Sequence, residues 1–137
     1  MLAKQSEVWD KICTPWASKA DIEEGVKSLH SHECYPIVIN ELSRIKKGSF
    51  ILDAGCGLGY WAFLFQKMGY QGCGVDIARH ALRKIGKCVI GVKNLSNVFV
   101  CGDVRALPFR NDTFSFIFCH GVIEHFLNPA IALKEYH

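Results

Sequence analysis

The stretch Ile51-Leu52-Asp53-Ala54-Gly55-Cys56-Gly57-Leu58-Gly59-Tyr60-Trp61-Ala62 decides how this chain is read. A short apolar run, Phe50 to Ala54, carries an aspartate near its end and runs into a turn with three alternating glycines. A helix-period segment follows. Trp61, Leu64, Phe65 and Met68 recur at i, i+3, i+4 and i+7, the spacing of one helix face, and Gly69 stops it. The unit is therefore strand, glycine turn, helix.

The same alternation continues downstream. Gly72 to Asp76 is a second strand-like run, and Ala78, Ala81, Leu82 and Ile85 repeat the helical spacing. Asn97 to Cys101 is a third run and Phe114 to Cys119 a fourth, joined by a segment that reads as loop rather than crossover helix. Asn128 and Pro129 read as an N-cap and an N1 proline opening a last helix. Upstream, Cys34, Val38, Leu42 and Ile45 form another helical stripe, with Lys46 and Lys47 in its last turn and Gly48 as its stop. Strands apolar on both faces, separated by amphipathic helices, specify an α/β fold: a doubly wound, mainly parallel sheet. Residues 1–47 read as an N-terminal helical cap and residues 48–137 as the α/β core.

Composition bounds the function. The 137 residues suffice for one domain, half of them apolar and 21% charged. A net charge of +3 supplies no basic footprint for nucleic acid. The N-terminus carries charges where a signal peptide needs an apolar run, and no stretch approaches the roughly 20 apolar residues of a membrane helix. A soluble, cytoplasmic protein is expected. The seven cysteines include no C-x-x-C pair, so spacing supports no zinc site and no metal is expected. Cys73, Cys101 and Cys119 fall in strand-like runs and are expected as small buried hydrophobes.

Ligands of open parallel sheets bind beyond the carboxyl ends of the strands. Three features fall there. Gly55, Gly57 and Gly59 let backbone N–H groups approach a ligand closely. Asp76 closes the second strand, where a carboxylate can accept both hydroxyls of a ribose. Asp103 follows the third, placed to accept from the exocyclic amine of a base. Singly, each has an ordinary explanation as a tight turn or an N-cap. All three together, at successive strand ends, are much harder to explain that way. The fingerprint G-x-G-x-x-G is broken, because Tyr60 replaces its last glycine.

With these residues the sequence resembles the class I S-adenosylmethionine-dependent methyltransferases, in particular the group that includes quinone and small-molecule methyltransferases. The resemblance runs from about Tyr35 to the end of the chain and implies the Rossmann-like methyltransferase fold. ILDAGCGLGYWA looks like the family's first motif, with Asp53, Gly55, Cys56, Gly57 and Gly59 at the cofactor. VDIA looks like the second, implying that Asp76 holds the ribose and Ile77 packs on the adenine. CGDVRALPF looks like the third, implying that Asp103 reads the adenine amine and Val104 lines the same pocket. DTFSFIFCHGVIEHFLNPAIALKE is similar to the fourth strand and following helix, with Ser115 where an aspartate is usual.

The family's reaction is in-line attack on the methyl group of a sulfonium, so alignment is the protein's main contribution. A base is needed only when the nucleophile must lose a proton. His120, Gly121, Glu124 and His125 follow the fourth strand, where the resemblance places methyl donor and acceptor. His125 is the candidate base, with Glu124 and His120 as alternatives, and His120 is also a candidate cofactor contact. The other reading has Glu124 and His125 bonding nearby backbone and orienting the loop. Some quinone O-methyltransferases carry E-x-x-E-H here and bind a divalent metal. Gly121 stands at the first of those glutamates, against a metal.

The expected function is S-adenosylmethionine-dependent methyl transfer to a small-molecule acceptor. A non-catalytic methyltransferase-like binding module is the alternative, and an NAD-dependent oxidoreductase is disfavoured. Family members continue past the fourth strand with a helix, a turn and further strands, so the domain is expected to be truncated after about the fourth strand. The fourth run should then lie at an uncovered edge, without proline or lysine to discourage self-association.

Overall fold

Alternation along strand β1 (Phe50–Ala54) sends Ile51 to one face of the sheet and Leu52 and Ala54 to the other, and all three are fully buried. Both faces must therefore be covered, as the continuous apolar runs predict. The computed structural model describes residues 2–13, 15, 18–88 and 99–137. Asn97 and Val98 of the third run lie outside them.

β1 pairs in parallel with β2 (Gln71–Asp76) on one side, Leu52 opposite Cys73, and with β4 (Phe116–Phe118) on the other, Leu52 opposite Ile117. β2 pairs in parallel with β3 (Phe99–Cys101), giving the order β3-β2-β1-β4. The sheet is doubly wound, with the order reversing between β1 and β4. β4 has β1 as its one partner among the described residues and forms an edge.

The first face carries helices. α2 (Lys19–Ser28) opens on a capping box, in which the Asp21 N–H donates to Ser18 Oγ and the Ser18 N–H to the Asp21 carboxylate. It buries Ile22 and Val26. α3 (Tyr35–Leu42) buries Val38 and Leu42, and α4 (Tyr60–Lys67) buries Trp61, Leu64 and Phe65. These join Ile51, Leu82, Ile85 and Phe118 in one cluster. Each fully buried member, such as Phe65, contributes roughly 1.5–3 kcal/mol. The second face is closed by the irregular segment 102–115, through Leu107, Phe109 and Phe114, and by α6 (Ala130–Glu135), through Ala132. The expected loop between the third and fourth strands is thus the cover of that face.

α1 (Leu2–Cys13) packs on α5 (Arg79–Cys88). Ser6 Oγ donates to the Ile77 carbonyl at 2.6 Å, and Asp10 accepts from the His80 and Ala81 amides, capping α5 from a distant part of the chain. No helix among the described residues is long and apolar enough to cross a membrane.

Three local expectations are corrected. α3 ends at Leu42, not near Lys47, because Ser43 Oγ takes the Asn40 carbonyl and the Arg44 and Ile45 amides bond three residues back. That tightened turn still brings Ile45 onto the core. α6 begins at Ala130, with Pro129 at the cap position, while Asn128 Oδ1 accepts from the Ala130 amide at 3.2 Å. Cys101 is exposed rather than buried, at the end of an edge strand.

Candidate functional site

A cleft opens at the carboxyl ends of all four strands. Its walls are Gly55 and Gly57 after β1, Asp76 and Ile77 at the end of β2, Gly102 to Arg105 after β3, and Gly121, Val122, His125 and Phe126 after β4. Gln5, Trp9 and Cys13 of α1 close one side.

The glycine turn is built by backbone conformation. Gly55, Gly57 and Gly59 have φ of 80°, 51° and 74°, a region where side chains are strained. A Cβ on Gly55 would also lie 2.2 Å from Val122 Cγ2, so the turn and the segment after β4 fit only without one. Four of the five amides of this turn, residues 55–59, are occupied. Gly55 and Cys56 both donate to the Val75 carbonyl, Gly59 to Cys56, and Gly57 to Asp76 Oδ2 at 2.8 Å. The expected display of free N–H groups toward a ligand is therefore not what these four residues provide. They bring backbone and the Asp76 carboxylate to the cleft wall.

Asp76 is braced from both sides, with Oδ1 accepting from the Ala78 amide at 2.8 Å. Burial raises its pKa, against the pull of these amides. Each oxygen takes one amide, which leaves acceptor capacity for a ligand hydroxyl. Asp53, 4% exposed, sits behind the turn with one long bond from the Ala62 amide at 3.3 Å. Burial drives its pKa up to about 7, the Ala62 N–H opposes this, and the Asp76 charge adds to the rise. Cys13 is pushed up to about 11 by burial and by Asp76 and Asp10.

Asp103 differs. Arg105 grips it with Nε and Nη2 at 3.0 and 2.7 Å, and the Arg105 amide adds a third bond at 2.9 Å. The guanidinium holds the Asp103 carboxyl below its ordinary range and lies 4.7 Å from the Phe126 ring centre. The residue expected to read an adenine amine is thus a preformed ion pair in this state.

Of the residues singled out from sequence, the cleft gathers Gly55, Gly57, Asp76, Ile77, Asp103, Val104, Gly121 and His125. Asp53 and Cys56 are buried behind it, the Cys56 side chain in the core beneath Gly74. Gly59 faces Phe99 and Phe63. Glu124 is exposed, and His120 packs elsewhere, with its ring stacked on Phe118. His125 meets Trp9 edge-on, ring centres 5.3 Å apart. Trp61 is core, against Phe118. Sequence reasoning missed Gln5, Trp9 and Cys13, which reach the site only because α1 docks on α5. It also missed Arg105, whose position two residues after Asp103 was the available signal.

A doubly wound parallel sheet with a carboxylate-lined cleft at its switch point defines an α/β domain whose ligand site lies where open parallel sheets bind their ligands. Residues 52–137 match the family model described as methyltransferase domain, and the chain belongs to that family. It is 29% identical over 136 residues to a demethylmenaquinone methyltransferase of Staphylococcus carnosus, covering 96% of this chain and 54% of that protein. It is 26% identical over 91 residues to a malonyl-[acyl-carrier protein] O-methyltransferase of Hamiltonella defensa, covering 66% of this chain and 33% of that protein. Among solved structures, a proposed S-adenosyl-L-methionine-dependent methyltransferase from Methanococcus maripaludis superposes with a TM-score of 0.63 at 20% identity, over 87% of this chain and 57% of that one. The likeness in fold is clear, and the chain spans about half the length of the relatives it matches.

Proposed function

We propose that this chain forms the S-adenosylmethionine-binding part of an enzyme that transfers methyl to a small-molecule acceptor, with residues 1–47 as its helical cap. The observation that carries this reading is the charge of the cleft. Asp76 lines the wall with Asp53 buried behind it. Burial is the main cause of both raised pKa values, and the Asp76 charge adds a negative potential that also acts on Asp53 and Cys13. A ligand bearing a sulfonium and an ammonium group relieves that potential. A pyrophosphate aggravates it, and four of the turn's five amides are already taken by the protein.

In this reading the ribose hydroxyls bond to the spare lone pairs of Asp76, while Ile77 and Val104 flank the adenine. Asp103 meets the exocyclic amine beside Arg105. The chain's residues then align donor and acceptor, which is the main requirement of methyl transfer from a sulfonium. His125, on the cleft wall, is the candidate base for an acceptor that must lose a proton.

Asp76→Ala tests the assignment. It removes a charge-assisted, bidentate contact and should weaken S-adenosylmethionine by roughly 1.5–3 kcal/mol, about 10- to 150-fold in Kd. It also orphans the Gly57 and Ala78 amides, so a lower melting temperature should accompany the loss. Unchanged affinity in the folded variant contradicts the ribose role.

A further inference from the structure

Away from the cleft floor, the fold assembles three metal-ligating side chains that spacing gave no reason to connect. His32 and Cys34 lie in the turn before α3, and His120 directly follows β4. One ligand atom from each, imidazole nitrogen or thiol sulfur, lies within 4.8 Å of the other two. His32 and Cys34 are half-buried and His120 is exposed, so a cation can enter and the site is not open solvent.

The rings are held in place. His120 stacks on Phe118 with 7° between planes, and His32 stands edge-on to Trp61 and to His120, with ring centres 5.7 and 4.8 Å away. The Cys34 amide donates to His32 Nδ1 at 3.1 Å, so that nitrogen is unprotonated and its lone pair is directed toward Cys34. We propose that His32, Cys34 and His120 bind a divalent cation of the zinc class, tying the N-terminal cap to the end of β4. This departs from the expectation of no metal, which rested on pairs close in sequence.

The donor set selects the ion. Two imidazoles and a thiolate suit zinc or cobalt, whereas magnesium and calcium require oxygen ligands. Metal–ligand bonds of about 2.0–2.3 Å place tetrahedral neighbours closer than 4.8 Å, so the cluster contracts by at most about 1.5 Å on binding. His120 can supply that movement, being exposed and followed by Gly121 in the left-handed region. In the process one imidazole nitrogen of His32 takes the metal, and the Cys34 thiol releases one proton to solvent. Three protein ligands leave a fourth position for water.

The test is cobalt titration of the full chain, read by absorbance. The expected result is saturation at one cobalt per chain, with tetrahedral d–d bands in the visible and a thiolate-to-cobalt charge-transfer band in the near ultraviolet. Cys34→Ser should abolish the charge-transfer band, while Cys101→Ser, at an exposed thiol, leaves it intact. His120→Gln replaces an exposed side chain and should weaken cobalt affinity more than about tenfold, with an unchanged circular dichroism spectrum. Absence of the tetrahedral spectrum in the parent overturns the proposal, as does a charge-transfer band that survives Cys34→Ser. Cobalt bound equally by the parent and His120→Gln also overturns it, as adventitious binding. None of these readouts requires S-adenosylmethionine, so failure here leaves the methyltransferase reading standing and the converse also holds.

Discussion

Asp53→Asn should stabilise the protein by an amount that grows as pH rises. The carboxylate is buried behind the glycine turn with one long bond, from the Ala62 amide at 3.3 Å. Burial lifts its pKa from 3.8 to about 7, the Ala62 N–H works against that rise, and Asp76 reinforces it. A carboxyl whose folded pKa exceeds its unfolded one holds its proton more tightly when folded. Its favourable contribution is complete below the unfolded value and is lost as pH rises through about 7. The gap between the two values corresponds to a ceiling of roughly 4 kcal/mol. Asparagine cannot ionise and keeps an oxygen for Ala62. The variant should therefore match the parent at about pH 4, gain on it through neutrality, and level off above about pH 8. In a chain of this size the plateau is on the order of 10 °C in Tm. Paired thermal melts across that range give the difference directly, so that other titrating groups cancel. A difference that does not change with pH, or a variant less stable than the parent at the alkaline end, refutes the argument.

Two further perturbations follow from the site. Gly55→Ala and Gly48→Ala both impose a side chain at positive φ, but a Cβ meets Val122 at the first position and nothing within 4 Å at the second. Chemical denaturation should show a loss of about 1 kcal/mol for Gly48→Ala and clearly more for Gly55→Ala, and equal losses would contradict the close approach. If the acceptor is a hydroxyl, His125→Ala should lower turnover by about 10²–10⁴ with little change in S-adenosylmethionine affinity. Should His120→Ala give that signature instead, the base lies outside the cleft wall described here.

The strands were legible because β1 and β2 are buried on both faces and β4 is half-buried or better throughout, and continuous apolar runs bounded by glycine or polar residues have few other uses in a chain of this size. The stripe of Trp61, Leu64 and Phe65 was legible for the same reason. What escaped depends on contacts distant in sequence. The stripe through Cys34 and Ile45 continued past the true end of α3, because a side-chain bond from Ser43 outcompeted the helical one. Cys101 read as core from its apolar neighbours, but it ends an edge strand. Asp76 and Asp103 were placed correctly at strand ends. Their states were not legible, since burial raises one and Arg105 lowers the other. The docking of α1 through Ser6 and Asp10 could not be read at all, and with it went the contribution of Trp9. His32, Cys34 and His120 were invisible together for the same reason.

The cleft is expected to take S-adenosylmethionine. Isothermal titration of the purified chain with S-adenosylmethionine, S-adenosylhomocysteine and NAD tests it most directly. Saturable one-to-one binding of the first two is expected, with no detectable heat of binding for NAD, whose pyrophosphate meets the Asp76 end of the cleft. Binding of NAD in preference to S-adenosylmethionine by the folded chain would contradict it.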